Sequence, residues 1–207
     1  MKTDLTNIKN IIFDLGRVIL NLDFDASIKA LKELGLSDDV LANYSAYPDP
    51  CFYEQEIGII SPNEFLKKMI TVLGNDGITE EQVRTAWLKM VLDIPPHRVK
   101  VLQQLGEKYN IYLFSNSNKI HIDHIDVEFR EKYGFEFPSL FATQFYSHVI
   151  HERKPDLSSF ETVIKLSGVN PHETLFVDDL KENIEGAEKA GLKTFWLKEG
   201  MEMADIF

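Results

Sequence analysis

Three short apolar runs, each stopping abruptly at a polar residue, constrain this chain most: Ile11-Ile12-Phe13 before Asp14, Ile111-Tyr112-Leu113-Phe114 before Ser115, and Leu175-Phe176-Val177 before Asp178. None alternates apolar with polar residues, so neither face of these segments meets water, the pattern of strands in a parallel sheet covered on both sides. Thr194 to Leu197 predicts a further strand, and Phe141 to Val149 is expected to contain another. Between the runs lie amphipathic stretches, such as Val99, Leu102 and Leu105 after Pro95-Pro96, and Phe160, Val163 and Ile164 after Pro155. Alternating βαβα order implies an α/β fold with a doubly wound parallel sheet.

The interval from Leu22 to Pro96 breaks that rhythm, because it holds several helical signals and no buried strand. Ser61-Pro62-Asn63-Glu64 is a capping box with proline at the first helical position, followed by Phe65, Leu66, Met69, Ile70 and Leu73 and stopped by Gly74. Thr79 to Gln82 repeats the device ahead of Val83, Trp87, Met90 and Val91, and a third helix uses Ile28, Leu31 and Leu34 and ends at Gly35. The expected organisation is a core formed by residues 1–21 and 97–207 with an inserted helical cap over 22–96, packed against the sheet.

Composition narrows the function. The 207 residues carry 22 basic and 33 acidic side chains, a net charge of −11, which repels nucleic-acid phosphates and anionic lipid. Cys51 is the single cysteine, so no intrachain disulfide can form and an oxidising compartment is not required. No export signal is visible, and apolar runs fall far short of the ~20 residues of a membrane-spanning helix. A soluble, cytoplasmic protein is expected.

In open parallel sheets ligands sit at the carboxyl ends of the strands. There the apolar runs place Asp14, Ser115-Asn116 and Asp178-Asp179, with Lys154-Pro155 between the last two groups. A carboxylate nucleophile, acids for a hard oxygen-liganded Mg²⁺, and a hydroxyl and a lysine for phosphoryl oxygens are what phosphoryl transfer through an aspartate requires. Singly, each has an ordinary reading as a turn or helix cap. Their joint occurrence, in order and at strand ends, favours chemistry.

At these residues the chain resembles the haloacid dehalogenase superfamily, whose four motifs match IIFDLGRV, LFSNSN, the lysine of RKPD, and LFVDD along the whole chain. The resemblance implies a Rossmann-like core with a helical cap that selects substrate. It implies Asp14 as nucleophile and metal ligand, the Gly16 carbonyl as another ligand, Ser115, Asn116 and Lys154 on the phosphoryl group, and Asp178 and Asp179 on Mg²⁺, with Asp179 the more direct ligand. Glu54 to Ser61 and DDxxxNIxGA from Asp178 to Ala187 are most similar to the bacterial alpha-D-glucose-1-phosphate phosphatase group. The implied activity is a Mg²⁺-dependent phosphomonoesterase for a small phosphorylated metabolite such as a sugar phosphate.

One position departs from the superfamily pattern. Gly16 stands where a second aspartate usually serves as general acid and base, help typically worth ~10²–10⁴-fold in rate. An acidic leaving group such as an anomeric hydroxyl needs less of it, and Asp23, Asp25 or a cap residue is the alternative source. A mutase, which needs that base, and a metal-free dehalogenase are disfavoured. Two other classes stay open: a relative that binds a phosphorylated ligand or a partner without turnover, and a receiver-type signalling domain.

The remaining polar residues carry expectations of their own. The pairs His121/His124 and His148/His151 have metal-compatible spacing but no accompanying carboxylate signature, and are read as structural or surface residues; a strand near Phe145 would split the second pair between two faces. Cys51 reads as a packing residue. Arg17 is expected to brace the first loop on an acid such as Asp23, and the aromatic stretch Tyr47 to Tyr53 either contacts a sugar ring or packs as a loop.

Overall fold

The computed structural model describes residues 5–42 and 49–207. In chain order the elements are β1 (Asn10–Phe13), α1 (Phe24–Leu34), α2 (Asp38–Ala42), α3 (Pro50–Glu56), α4 (Pro62–Leu73), α5 (Glu80–Leu88), α6 (Pro96–Gly106), β2 (Asn110–Ser115), α7 (Lys119–Tyr133), β3 (Thr143–Tyr146), α8 (Ser147–Ile150), α9 (Leu157–Ser167), β4 (Thr174–Asp178), α10 (Lys181–Lys189) and β5 (Lys193–Trp196). The five strands form one parallel sheet in the order β3-β2-β1-β4-β5.

Successive strand residues face opposite layers, which explains why the runs read as apolar throughout. Ile11, Phe13, Ile111, Leu113, Leu175 and Val177 pack with α6 and α7 through Leu102, Ile125 and Phe129. Ile12, Tyr112, Phe114 and Phe176 meet α9 and α10 through Phe160, Val163, Ile184 and Ala187. Each layer buries several large side chains worth ~1.5–3 kcal/mol apiece, so the strand ends sit on a rigid floor. Phe13 pairs in register with Leu113 and Val177, which brings the ends of β1, β2 and β4 side by side.

Helices α1 to α5 all fall between Leu22 and Pro96. Both capping boxes form as the sequence predicts: the Ser61 and Thr79 side chains accept from the Glu64 and Gln82 N–H groups, and those two side chains accept in return from the cap residues' own N–H groups. These helices bury their own cluster around Leu31, Phe52, Phe65, Leu66, Met69 and Val83, with Cys51 packed inside it as expected. Ile120 of α7 joins the same cluster, so the helical layer is packed onto the sheet layer. The chain enters and leaves this region through a paired crossing: Leu22 bridges Val91, while Asn21 and Leu92 exchange main-chain bonds with Asp93 and Asn21.

Candidate active site

Asp14 follows β1 directly, Ser115 is the last residue of β2, and Asp178 the last of β4, so three adjacent strands of the sheet deliver them to one edge. The Asp14 N–H donates to the Val177 carbonyl at 2.9 Å, which extends the β1–β4 ladder to the candidate nucleophile itself. Ligand atoms of Asp14, Asp178 and Asp179 all lie within 4.8 Å of one another. Three carboxylates that close repel strongly unless cations sit among them.

Lys154 supplies one cation. Its ammonium donates to Asp14 Oδ1 and Asp178 Oδ2, both at 2.7 Å, with only 1% of the side chain exposed. It also lies 5.3 Å from the ring centres of both Phe114 and Phe176. Burial alone would push this lysine down, but the two carboxylates outweigh it and hold its pKa above the ordinary value. The resemblance places Lys154 at the site, but nothing in the neighbouring residues marks its side chain as buried.

Burial raises Asp14 to about 7 against the opposing pull of Lys154, with repulsion from Asp178 and then Asp179 adding to the rise. Burial also raises Asp179 to about 6, again with Asp178 contributing. Asp178 is fully buried and fully engaged: Oδ1 accepts from the Leu180 N–H at 2.8 Å, and both oxygens accept from Asn183 Nδ2 at 3.0 Å. Sequence reasoning gave Asn183 no role, although its place one helical turn past Asp178-Asp179 was the available signal. Asp178 thus orders the start of α10 through its side chain, while Leu180 occupies the N-cap position without a side-chain bond.

Asn116 lines the cavity, yet its amide clasps the Lys154 main chain, donating to the Lys154 carbonyl at 2.8 Å and accepting from its N–H at 2.9 Å. It therefore holds Lys154 in place, and its side chain is committed there. A Cβ on Gly186 would sit 2.5 Å from the Pro155 carbonyl oxygen, so only glycine lets α10 press on the loop that carries Lys154. Ser115 lines the same cavity, and among the described residues its hydroxyl makes only a long 3.5 Å approach to the Asn116 carbonyl.

Several expectations are corrected. Arg17 does not pair with Asp23; it adopts φ 58°, reaches Asp179 Oδ2 at 3.9 Å and lies 5.1 Å over the Phe24 ring. Asp23 instead caps α1 by accepting from the Ala26 N–H at 3.0 Å, and neither it nor Asp25 lines the cavity. The space beside Gly16 is also filled, since a Cβ there would lie 2.7 Å from Leu22 Cδ1. The atom met is the end of a flexible side chain, so an acid at this position would need only that Leu22 turn aside. The strand near Phe145 stops at Tyr146, so His148 and His151 sit in and after α8; His148 Nδ1 meets the Ser117 carbonyl and His151 Nδ1 the Ile57 carbonyl.

His121 is structural, as expected. Burial lowers it to about 4, and the neutral ring accepts from Asn118 Nδ2 at Nδ1 while Nε2 donates to the Trp87 carbonyl. It stacks on Trp87 at 5.0 Å, fastening α7 to α5. Of the Tyr47 to Tyr53 stretch, Tyr47 and Pro48 lie outside the described residues, whereas Phe52 is buried and lines the cavity. That cavity, 460 Å³ between the strand ends and α1, α3 and α5, runs from Gly16 and Ser115 to Phe24, Ile28, Trp87 and Met90.

A buried aspartate at the end of the first strand, a lysine bridging it to the first of two acids at the end of the fourth, and a helical layer over the sheet edge define a hydrolase of the haloacid dehalogenase type. The chain belongs to the haloacid dehalogenase-like hydrolases, whose family model matches residues 8–191. It is 32% identical over 196 residues to a D-ribitol-5-phosphate phosphatase of Bacteroides thetaiotaomicron, covering 94% of each chain. A haloacid dehalogenase family enzyme of the same organism, crystallised with magnesium and inorganic phosphate, superposes with a TM-score of 0.85 at 31% identity, over 93% of this chain and 96% of that one. A sesquiterpene phosphatase of Aspergillus oryzae is 26% identical over 204 residues, covering 95% of this chain and 93% of the relative.

Proposed function

We propose that the protein is a Mg²⁺-dependent phosphomonoesterase for a small phosphorylated metabolite, with Asp14 as nucleophile. The observation that carries this is the Lys154 ammonium held between Asp14 and Asp178 at 2.7 Å in a cluster of three carboxylates. The magnesium and phosphate bound by the similar enzyme, and the phosphatase names of both relatives, support the same reading. The donor set suits the ion: three hard carboxylates carry more negative charge than Lys154 neutralises, and the excess matches a divalent cation. Asp14, Asp178, Asp179 and the Gly16 carbonyl would hold it, and when bound it would screen the phosphoryl charge from the nucleophile.

The Asp14 carboxylate attacks phosphorus, the ester oxygen leaves with the electron pair of the broken P–O bond and takes a proton from water in the cavity, and an aspartyl phosphate forms. Water then attacks that phosphorus and releases inorganic phosphate and the free carboxylate. Lys154 draws charge from the phosphoryl oxygens and keeps Asp14 aimed; the Ser115 hydroxyl donates to a phosphoryl oxygen; Asn116 positions Lys154. The helices over 22–96 act as a cap that closes the cavity from water.

A sugar or polyol phosphate is the substrate class we infer. Glucose 1-phosphate, with its easily expelled anomeric oxygen, suits the absence of an acid at Gly16; ribitol 5-phosphate, substrate of the similar enzyme by its name, is an ester of a primary alcohol. A phosphate-release screen over phosphorylated metabolites tests the assignment, and the expected result is turnover with Mg²⁺ that chelator abolishes. Binding of such esters without release at saturation would instead place the chain among non-catalytic relatives.

A further inference from the structure

The fifth strand carries none of the four motifs, yet one of its side chains reaches the acidic pair at the end of the fourth. Trp196 closes β5 and stands in register with Asp178, the last residue of β4. Beyond that pair the Leu197 N–H donates to the Asp178 carbonyl at 2.9 Å. One residue on, the chain turns from the sheet toward α10. There the indole takes over from the strand backbone: Trp196 Nε1–H donates to the Asp179 carbonyl at 2.9 Å.

Both edges of one peptide group are held in this way. The carbonyl of Asp179 and the N–H of Leu180 belong to the same planar unit; Trp196 fixes the first, and Asp178 Oδ1 accepts from the second at 2.8 Å. The preceding unit is fixed as well, through the bond from Leu197 to the Asp178 carbonyl. With the peptides on either side pinned, only rotation of the side chain remains to aim the Asp179 carboxylate at the cluster it shares with Asp14 and Asp178. Arg17 approaches that carboxylate at 3.9 Å, beyond hydrogen-bond reach, and so does not fix it. The Lys198 ammonium lies over the indole at 4.8 Å from the ring centre, a cation–π contact that steadies the donor.

We infer that Trp196 is a positioning residue of the metal site, its indole N–H setting the main chain of Asp179 so that the carboxylate is preorganised for a divalent cation. This rests on the Mg²⁺-dependent reading above and adds to it a residue from outside the motifs. Groups that orient a metal ligand typically carry roughly ten- to hundredfold in metal affinity. A bond to the ligand's main chain acts one step further from the ion and belongs at the lower end of that range.

The test titrates Mg²⁺ calorimetrically, without substrate, into wild type, Trp196→Phe and Trp196→His at about pH 8, where an ordinary histidine is neutral. Trp196 is 36% exposed on an edge strand, so its replacement removes little buried area. Phenylalanine keeps an aromatic ring and removes the donor. Histidine is the smaller and more polar ring, but its Nε2–H can stand where the indole Nε1–H was. A packing role would therefore rank histidine below phenylalanine, and a donor role above it. The Mg²⁺ dissociation constant should rise ~tenfold in Trp196→Phe and less than ~threefold in Trp196→His. Melts in chelator should stay within ~4 °C of wild type, the scale of one hydrogen bond. In an Asp179→Ala background Trp196→Phe should change the constant less than ~twofold, because its route to the ion is already cut. Unchanged affinity in Trp196→Phe, histidine no better than phenylalanine, an undiminished loss in the Asp179→Ala background, or a melt lowered beyond that range would each overturn the inference. Absence of Mg²⁺ uptake by wild type would instead fell the metal reading on which it rests.

Discussion

Removing the Asp14 charge should stabilise the metal-free protein at high pH and leave it nearly unchanged at low pH. Burial and neighbouring acids raise this group from 3.8 to about 7. Between those values the folded chain retains a proton that the unfolded chain has lost, so the raised pKa contributes stability at low pH that vanishes as pH rises through 7. Integrated from about pH 5 to about pH 8, that single group removes roughly 2–3 kcal/mol from wild type. Asp14→Asn cannot titrate and keeps its stability. At roughly 2–4 °C per kcal/mol for a chain of this size, the variant's melting temperature relative to wild type should rise by roughly 5–10 °C between the two pH values in chelator. Thermal melts of both proteins read this directly, and Asp179, which titrates in both, largely cancels. A difference that stays constant or shrinks with pH would refute the claim that Asp14 is held in an environment hostile to its charge.

Other outcomes follow from the same geometry. Asp179→Asn should raise the Mg²⁺ concentration for half-maximal activity at least ~tenfold, the scale of a lost ligand or its close support, and more than Asp178→Asn does; calorimetric titration with Mg²⁺ decides, and the reverse order would exchange their roles. Lys154→Met leaves Asp14 and Asp178 without their cation, the kind of broken buried pair that costs ~3–5 kcal/mol, and Mg²⁺ should recover more melting temperature in this variant than in wild type. Gly16→Asp should be accommodated by a turn of the Leu22 side chain, whose terminal methyl is the atom its Cβ meets, and should speed 6-phosphates more than 1-phosphates; activity assays on both esters check this, and an equal change for both would deny the leaving-group account.

The strand ends were legible because a parallel strand needs unbroken apolar residues and the candidate site starts at the first polar one, as at Asp14, Ser115 and Asp178. The cap helices were legible where their ends are written in residue chemistry, as at Ser61-Glu64 and Thr79-Gln82. Contacts between distant segments were not. Nothing local marks Lys154 as buried under two phenylalanines, or brings Glu56 to Arg153. The absence of an acid at Gly16 was readable, but not that the end of the Leu22 side chain lies against it, because the turn of the chain after β1 sets that contact. Arg17 pairs with Asp179 instead of the nearby Asp23 for the same reason: the first loop faces the end of β4, and Asp23 is committed to the start of α1.

The central claim is covalent chemistry at Asp14, and trapping its phosphoryl adduct tests that most directly. Wild-type protein mixed with Mg²⁺ and its fastest-released ester is quenched within one turnover and reduced with borohydride, which converts an acyl phosphate to an alcohol. Peptide mass spectrometry should then find homoserine at position 14, and aspartate there when chelator replaces Mg²⁺. Rapid phosphate release with aspartate intact at position 14, or with homoserine at another acid, would contradict the account.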